Sequence, residues 1–220
     1  MTAAVANDPG VAAFGASLAA ITLAELGDKT FFMALILAAR YRGRDVFMGA
    51  FAALSAVTLI SLGLGYGLRE LLPETVVVWL AALLFIGFGI KLLIDAQTMG
   101  SDEAEEEEKE AEQAIEKAES RRSVTGSASS WAVIWEAFVL VFIAELGDRT
   151  QFTTIFLATA PAFTFAGLLA GTLAGHALVT WLAVGAGKWI GGRISEKLLY
   201  RLSGGLFVAF GLFALRQALG

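Results

Sequence analysis

Ala24-Glu25-Leu26-Gly27-Asp28-Lys29-Thr30 and Ala144-Glu145-Leu146-Gly147-Asp148-Arg149-Thr150 are one heptapeptide written twice, differing only in Lys29 against Arg149. Each copy lies near the middle of an apolar run. From Val11 to Ala39 the only charged residues are Glu25, Asp28 and Lys29, and from Trp131 to Ala160 they are Glu136, Glu145, Asp148 and Arg149. A Lys, Arg or Asp at the centre of a membrane helix costs ~2.5–3.5 kcal/mol even on the lenient insertion scale. Two such clusters call for a reason, and the default reason is a pathway for ions or protons.

The surrounding composition fits that setting. The 220 residues are 57% hydrophobic, with mean hydropathy +0.70, above the usual range of soluble domains. There are 24 Gly, 3 Pro, one His and no Cys. The missing Cys excludes disulfides, thiolate metal sites and thiol catalysis. Met1 to Gly10 carries no Lys or Arg. Val11 onward therefore reads as a first spanning helix and not as a cleaved leader. The net charge of −5 is local: residues 102–119 carry ten acids and two bases, and the remainder is +3.

At roughly 20 apolar residues per crossing, six segments qualify: 11–39, 46–68, 75–94, 131–158, 163–187 and 198–216. The expected fold is all-α, a polytopic membrane protein of six transmembrane helices. Residues 11–96 form a first three-helix repeat, 97–130 an acidic linker and 131–219 a second three-helix repeat. Beyond the motifs, Gly49, Thr58, Gly63 and Gly65 match Gly171, Thr180, Gly185 and Gly187. Phe85, Phe88 and Gly89 match Phe207, Phe210 and Gly211. An odd number of helices per repeat inverts the second half, a transporter architecture. Loop charge agrees. Arg40, Arg42, Arg44, Arg121, Arg122, Lys188, Arg193, Lys197 and Arg201 fall on one side, against Arg69 and Arg216 on the other. The linker is then cytoplasmic and both termini are outside or luminal. The Gly167, Gly171, Gly175 ridge reads as helix packing, with Gly63, Gly65 and Gly67 a looser set. The linker reads as a solvated acidic helix or tether, with a cation sensor as the alternative.

Read as continuous helices, the motifs put Glu25, Asp28 and Lys29 on one stripe, and likewise Glu145, Asp148 and Arg149. Gly27 and Gly147 point away, where they admit another backbone or let the helix open and expose carbonyls. Thr30 and Thr150 add hydroxyls, and Gln151 stands where the first motif has Phe31. Facing motifs would give four carboxylates and two cations, a net of −2 that matches one divalent cation. Emptied, such a cluster takes up protons, so metal and proton compete for the same oxygens. Hard oxygen donors suit calcium, magnesium and manganese. The bland alternative is a pair of internal salt bridges, Glu25–Lys29 and Glu145–Arg149; it leaves Asp28 and Asp148 without a role. His176 reads as a neutral packed histidine, with a proton relay as the alternative; its repeat equivalent is Leu54.

The paired Glu-x-Gly-Asp-(Lys/Arg)-Thr motifs, the 3+3 helices and the acidic linker resemble the calcium/proton antiporter-2 family across about residues 11–219. That family includes a Golgi protein linked to glycosylation, its yeast relative, and manganese transporters of chloroplasts, cyanobacteria and other bacteria. The resemblance implies that Glu25, Asp28, Glu145 and Asp148 bind transported Mn2+ or Ca2+ with H+ as counter-ion. Lys29, Thr30, Arg149, Thr150 and Gln151 would support them. It implies a transporter that is no enzyme and has no cofactor. Its partners would be the lipid bilayer, divalent cations and protons and no nucleic acid, with a homodimer open as the assembly. The location would be a bacterial inner or thylakoid-type membrane. Competing readings are a small-solute or amino-acid exporter, a divalent-cation channel, and an intramembrane aspartyl protease. The protease is disfavoured because a base follows each Asp.

Overall fold

The computed structural model describes residues 8–98, 102–120, 129–186 and 196–219. Arg121, Arg122, Lys188, Arg193 and Gly187 lie outside the described residues. The described chain is helical throughout: α1 (Pro9–Glu25), α2 (Lys29–Arg40), α3 (Gly43–Leu71), α4 (Glu74–Thr98), α5 (Asp102–Ser120), α6 (Ser130–Glu145), α7 (Arg149–Thr159), α8 (Phe165–Ala186) and α9 (Glu196–Leu219). Among the described residues α3, α4 and α8 are each long and apolar enough to cross a membrane, and the count rises to five if each of the pairs α1–α2 and α6–α7 is one span. The protein is a multi-pass membrane protein. Leu59, Leu83, Ile143, Trp181 and Phe213 are more than half exposed, which suits lipid and would promote aggregation in water.

The first and fourth predicted segments are not continuous helices. α1 and α2 meet at 66°, and α6 and α7 at 69°. The cause is local. Gly27 (φ 78°) and Gly147 (φ 87°) adopt the left-handed conformation that glycine tolerates and that ends helices. The next residue, Asp28 or Asp148, is the N-cap of the following helix. The single-stripe geometry therefore fails, because the helix that would align Glu25 with Lys29 stops between them. The alternative, in which glycine opens the helix, is the one observed.

The two sequence halves interleave. α1 packs mainly on α8, α3 on α6, α7 and α8, and α4 on α9. Glycines set how closely. A Cβ on Gly49 would strike the Ile134 carbonyl of α6, and one on Gly171 would strike Ser17 and the Phe14 carbonyl of α1. A Cβ on Gly89 would come 2.7 Å from the Val208 nitrogen, and one on Gly211 2.8 Å from the Ile86 nitrogen. The matched glycines thus hold matched backbone approaches, as small residues do in lipid.

The linker is neither a free tether nor a fully solvated helix. In α5, Ala111 and Ile115, four residues apart, are fully buried. Ile115 joins Phe31, Leu37, Val46 and Val179 in one apolar cluster. Arg40 on α2 pairs with Glu119 at 2.7 Å, and the Tyr41 hydroxyl donates to the same carboxylate at 2.9 Å.

Close packing at glycine is testable against an internal control. Gly171→Ala should cost about 1–3 kcal/mol through overpacking against backbone. At Gly63 a Cβ meets nothing within 4 Å, so Gly63→Ala should be neutral or stabilise by up to ~1 kcal/mol. Thermal unfolding of both variants in detergent reads the difference; equal losses would contradict the packing role.

Candidate functional site

Each helix break places one glutamate at a helix C-terminus and one aspartate at the next N-terminus. Glu25 ends α1 and Glu145 ends α6, both 1% exposed. A helix C-terminus carries partial negative charge and an N-terminus partial positive charge. The aspartates therefore face favourable dipoles, whereas a carboxylate at either glutamate calls for a cation beside it.

The two motifs satisfy their glutamates alike. The Thr30 hydroxyl donates to Glu25 Oε2 at 2.8 Å, and the Thr150 hydroxyl donates to Glu145 Oε1. In both, the other oxygen, Glu25 Oε1 and Glu145 Oε2, is buried with no hydrogen-bond partner. Buried carboxylate oxygens are rarely left so, and each demands an explanation. An oxygen of this kind has room for a proton or a cation.

The basic residues diverge. Arg149 Nη2 donates to Asp28 Oδ1 at 2.6 Å and to the Ala24 carbonyl at 3.0 Å, so it reaches into the first motif. Its guanidinium lies 5.4 Å from the Tyr200 ring centroid. Lys29 instead turns outward and pairs with Glu110 of α5 at 2.7 Å. The bland alternative, intramotif pairs Glu25–Lys29 and Glu145–Arg149, is not what forms; Lys29 pairs with Glu110 and Arg149 with Asp28. Once the helix breaks, the i,i+4 geometry that would join the intramotif partners is gone.

The aspartates also differ. Asp148 Oδ2 accepts from the Thr150 backbone N–H at 3.1 Å, a side-chain cap of α7. Asp28 makes no such cap and gives its carboxylate to Arg149. Gln151 Oε1 accepts the Gly147 N–H at 2.7 Å, so its oxygen closes the motif loop.

The four predicted acids are electrostatic neighbours. Glu25 lies within the field of Asp148 and Arg149, and Glu145 within that of Glu25, Asp148 and Asp28. Among the described residues, however, no group of three or more His, Asp or Glu side chains is arranged to hold a metal ion. The acids are gathered but not closed into a coordination shell.

Three neighbours were not singled out by the sequence. Tyr200 supports Arg149, yet its repeat position is Val78, so symmetry gave no signal. Glu110 is one acid among ten in the linker. Glu107, half-buried on α5, has its carboxyl raised above the ordinary range, chiefly by burial and against the pull of Arg149. The linker helix thus reaches the neighbourhood of the motifs. His176 on α8, by contrast, reads from the sequence as a packed histidine; its Nδ1 stands 3.4 Å from Glu25 Oε1.

Residues 13–100 and, again, 133–220 match the profile of a family described as divalent cation/proton antiporter GDT1. A GDT1-like protein of Synechocystis sp. is 41% identical over 198 residues, covering 90% of this chain and 94% of that one. The chloroplastic GDT1-like protein 1 of Oryza sativa subsp. japonica is 40% identical, over 90% of this chain and 60% of that one. The chloroplastic protein PAM71 of Arabidopsis thaliana is 41% identical, over 90% of this chain and 55% of that one. The chain thus spans little more than half the length of these two plant relatives. No solved structure matches it.

Identical motif positions with different partners predict different costs. Arg149→Ala strands the buried Asp28 carboxylate and should cost about 3–5 kcal/mol. Lys29→Ala removes a pair whose side chains are 32% and 63% exposed, worth at most ~1 kcal/mol. Denaturation midpoints of the two variants check this; equal losses would show that both bases act within their own motifs.

Proposed function

The chain belongs to the GDT1 family of divalent cation/proton antiporters, and from that premise we propose that it exchanges Mn2+ or Ca2+ for protons through one site shared by both motifs. The family is one of cation transporters and not of enzymes. Glu25, Asp28, Glu145 and Asp148 are the proposed cation-handling acids, and the two orphaned glutamate oxygens carry the reading. A metal ion or a proton supplies the positive charge that each lacks, so the two are alternative occupants. The all-oxygen character of the motif side chains favours manganese, calcium or magnesium over copper or zinc.

In the proposed mechanism α1–α2 and α6–α7 are each one broken span, α9 is the sixth crossing, and the halves are inverted repeats. The 97–130 linker is cytoplasmic. Broken helices whose ends converge near the bilayer midplane are how secondary transporters place ions. Arg149, fixed between Asp28 and the Ala24 carbonyl, holds the first motif to the second. Thr30 and Thr150 orient one oxygen of each glutamate and leave the other for cargo. Rocking of the repeats then exposes the site to one face with metal and to the other with protons. With Lys29 drawn out to Glu110 and Arg149 paired with Asp28, the remaining carboxylates, Glu25, Glu145 and Asp148, cross the low-dielectric interior best when a divalent ion and protons together neutralise them.

The test is flux. In proteoliposomes, an inside-acid gradient should drive Mn2+ or Ca2+ inward as protons leave and acidify the outside. Because protons compete for the carboxylates, apparent metal affinity should weaken as external pH falls. Glu25→Gln and Glu145→Gln should each lower flux by about 100-fold or more while leaving folded protein in the membrane. Metal entry indifferent to the gradient, with no proton release, would leave a channel and end the exchanger reading.

A further inference from the structure

The motifs are symmetric in sequence, but one element breaks that symmetry inside the bundle. His176, the single histidine of the chain, is 3% exposed on α8. It shares a small cavity with Glu25, Thr30, Leu54 and Thr180. Its Nδ1 and Glu25 Oε1 are 3.4 Å apart, yet neither completes a hydrogen bond. Two buried polar atoms that face each other without bonding are costly for a merely packed histidine. The spacing has a chemical use. For metal–ligand bonds between the ~2.1 Å of magnesium and the ~2.4 Å of calcium, adjacent ligands of an octahedron stand about 3.0–3.4 Å apart, so one ion can reach both atoms. The spacing sits at the long end of that range, and the preference between ions comes from the nitrogen, not from the distance. The matching position in the first half is Leu54, which has no ligand to offer, so Glu145 has no equivalent nitrogen partner.

We propose that His176 is a cargo ligand that works with Glu25 and biases the site towards transition-metal cations, Mn2+ among them, over Ca2+. Calcium and magnesium are hard ions held by oxygen. An imidazole nitrogen adds little for them and more for first-row transition ions. Glu25 Oε1 and His176 Nδ1 are two ligands of such a shell. Thr30, next to the same carboxylate, keeps Glu25 turned so that this oxygen and not the other meets the nitrogen. The substrate class is then a divalent transition metal whose coordination is mixed oxygen and nitrogen. This inference rests on the shared-site reading above and adds to it which ion the site prefers.

The experiment is pulsed electron paramagnetic resonance on the purified full chain loaded with Mn2+. Nitrogen-14 modulation from a directly bound imidazole is expected, and with one histidine its source is unique. It should vanish in His176→Gln, and histidine labelled with nitrogen-15 should change its frequency. In proteoliposomes His176→Gln should lower the Mn2+-to-Ca2+ uptake ratio by about tenfold. Bound Mn2+ without nitrogen modulation, or an unchanged uptake ratio, overturns the role of His176 while leaving the shared site standing. A chain that neither binds nor moves Mn2+ overturns both. The wild-type spectrum decides the point even if the variant fails to fold.

Discussion

The Asp28–Arg149 ion pair joins the two halves of the site. It links the N-cap of α2 to the first residue of α7, and the same guanidinium also takes the Ala24 carbonyl near the end of α1. A buried charge inside a membrane protein must be compensated where it stands, and here the compensation crosses from one repeat to the other. Because Arg149 is spent on Asp28, it does not neutralise Glu145. Because Lys29 is drawn out to Glu110, it does not neutralise Glu25. Both glutamates are left at helix ends of negative polarity with one oxygen unclaimed, and the proposed exchange of metal for proton rests on that condition.

The packing supports that condition. The halves interleave, so α3 lies against α6 and α7 while α8 lies against α1. The matched glycines Gly49 and Gly171 let backbones meet without intervening side chains. The linker helix is docked on α2 by ion pairs and by Ile115, so the −8 segment is part of the folded body.

Much of this was legible in the sequence. The duplicated motif and the long apolar segments lead to a helical membrane transporter, and the matched glycines to matched helix approaches. The helix breaks were less visible, because a hydropathy window sums side chains and does not register the sign of φ. The signal was nevertheless present: Gly followed by Asp is a helix stop followed by a helix start. The partners of Lys29 and Arg149 were not legible, because nearly identical heptapeptides cannot encode different tertiary neighbours. Docking of the linker was hinted at by Ala111 and Ile115, four residues apart in a run of acids. His176 has no symmetric counterpart and reads as packing in the sequence; in the fold it is buried and stands beside the unclaimed oxygen of Glu25.

The central claim is that two motifs make one site. Calorimetric titration of the purified chain with Mn2+, in two buffers of different protonation enthalpy, counts ions bound and protons released together. The account predicts one ion per chain, bound with proton release, and loss of that binding in Glu25→Gln and in Glu145→Gln alike. Two ions per chain, with each substitution removing one and sparing the other, would mean that the motifs are separate sites and would contradict it.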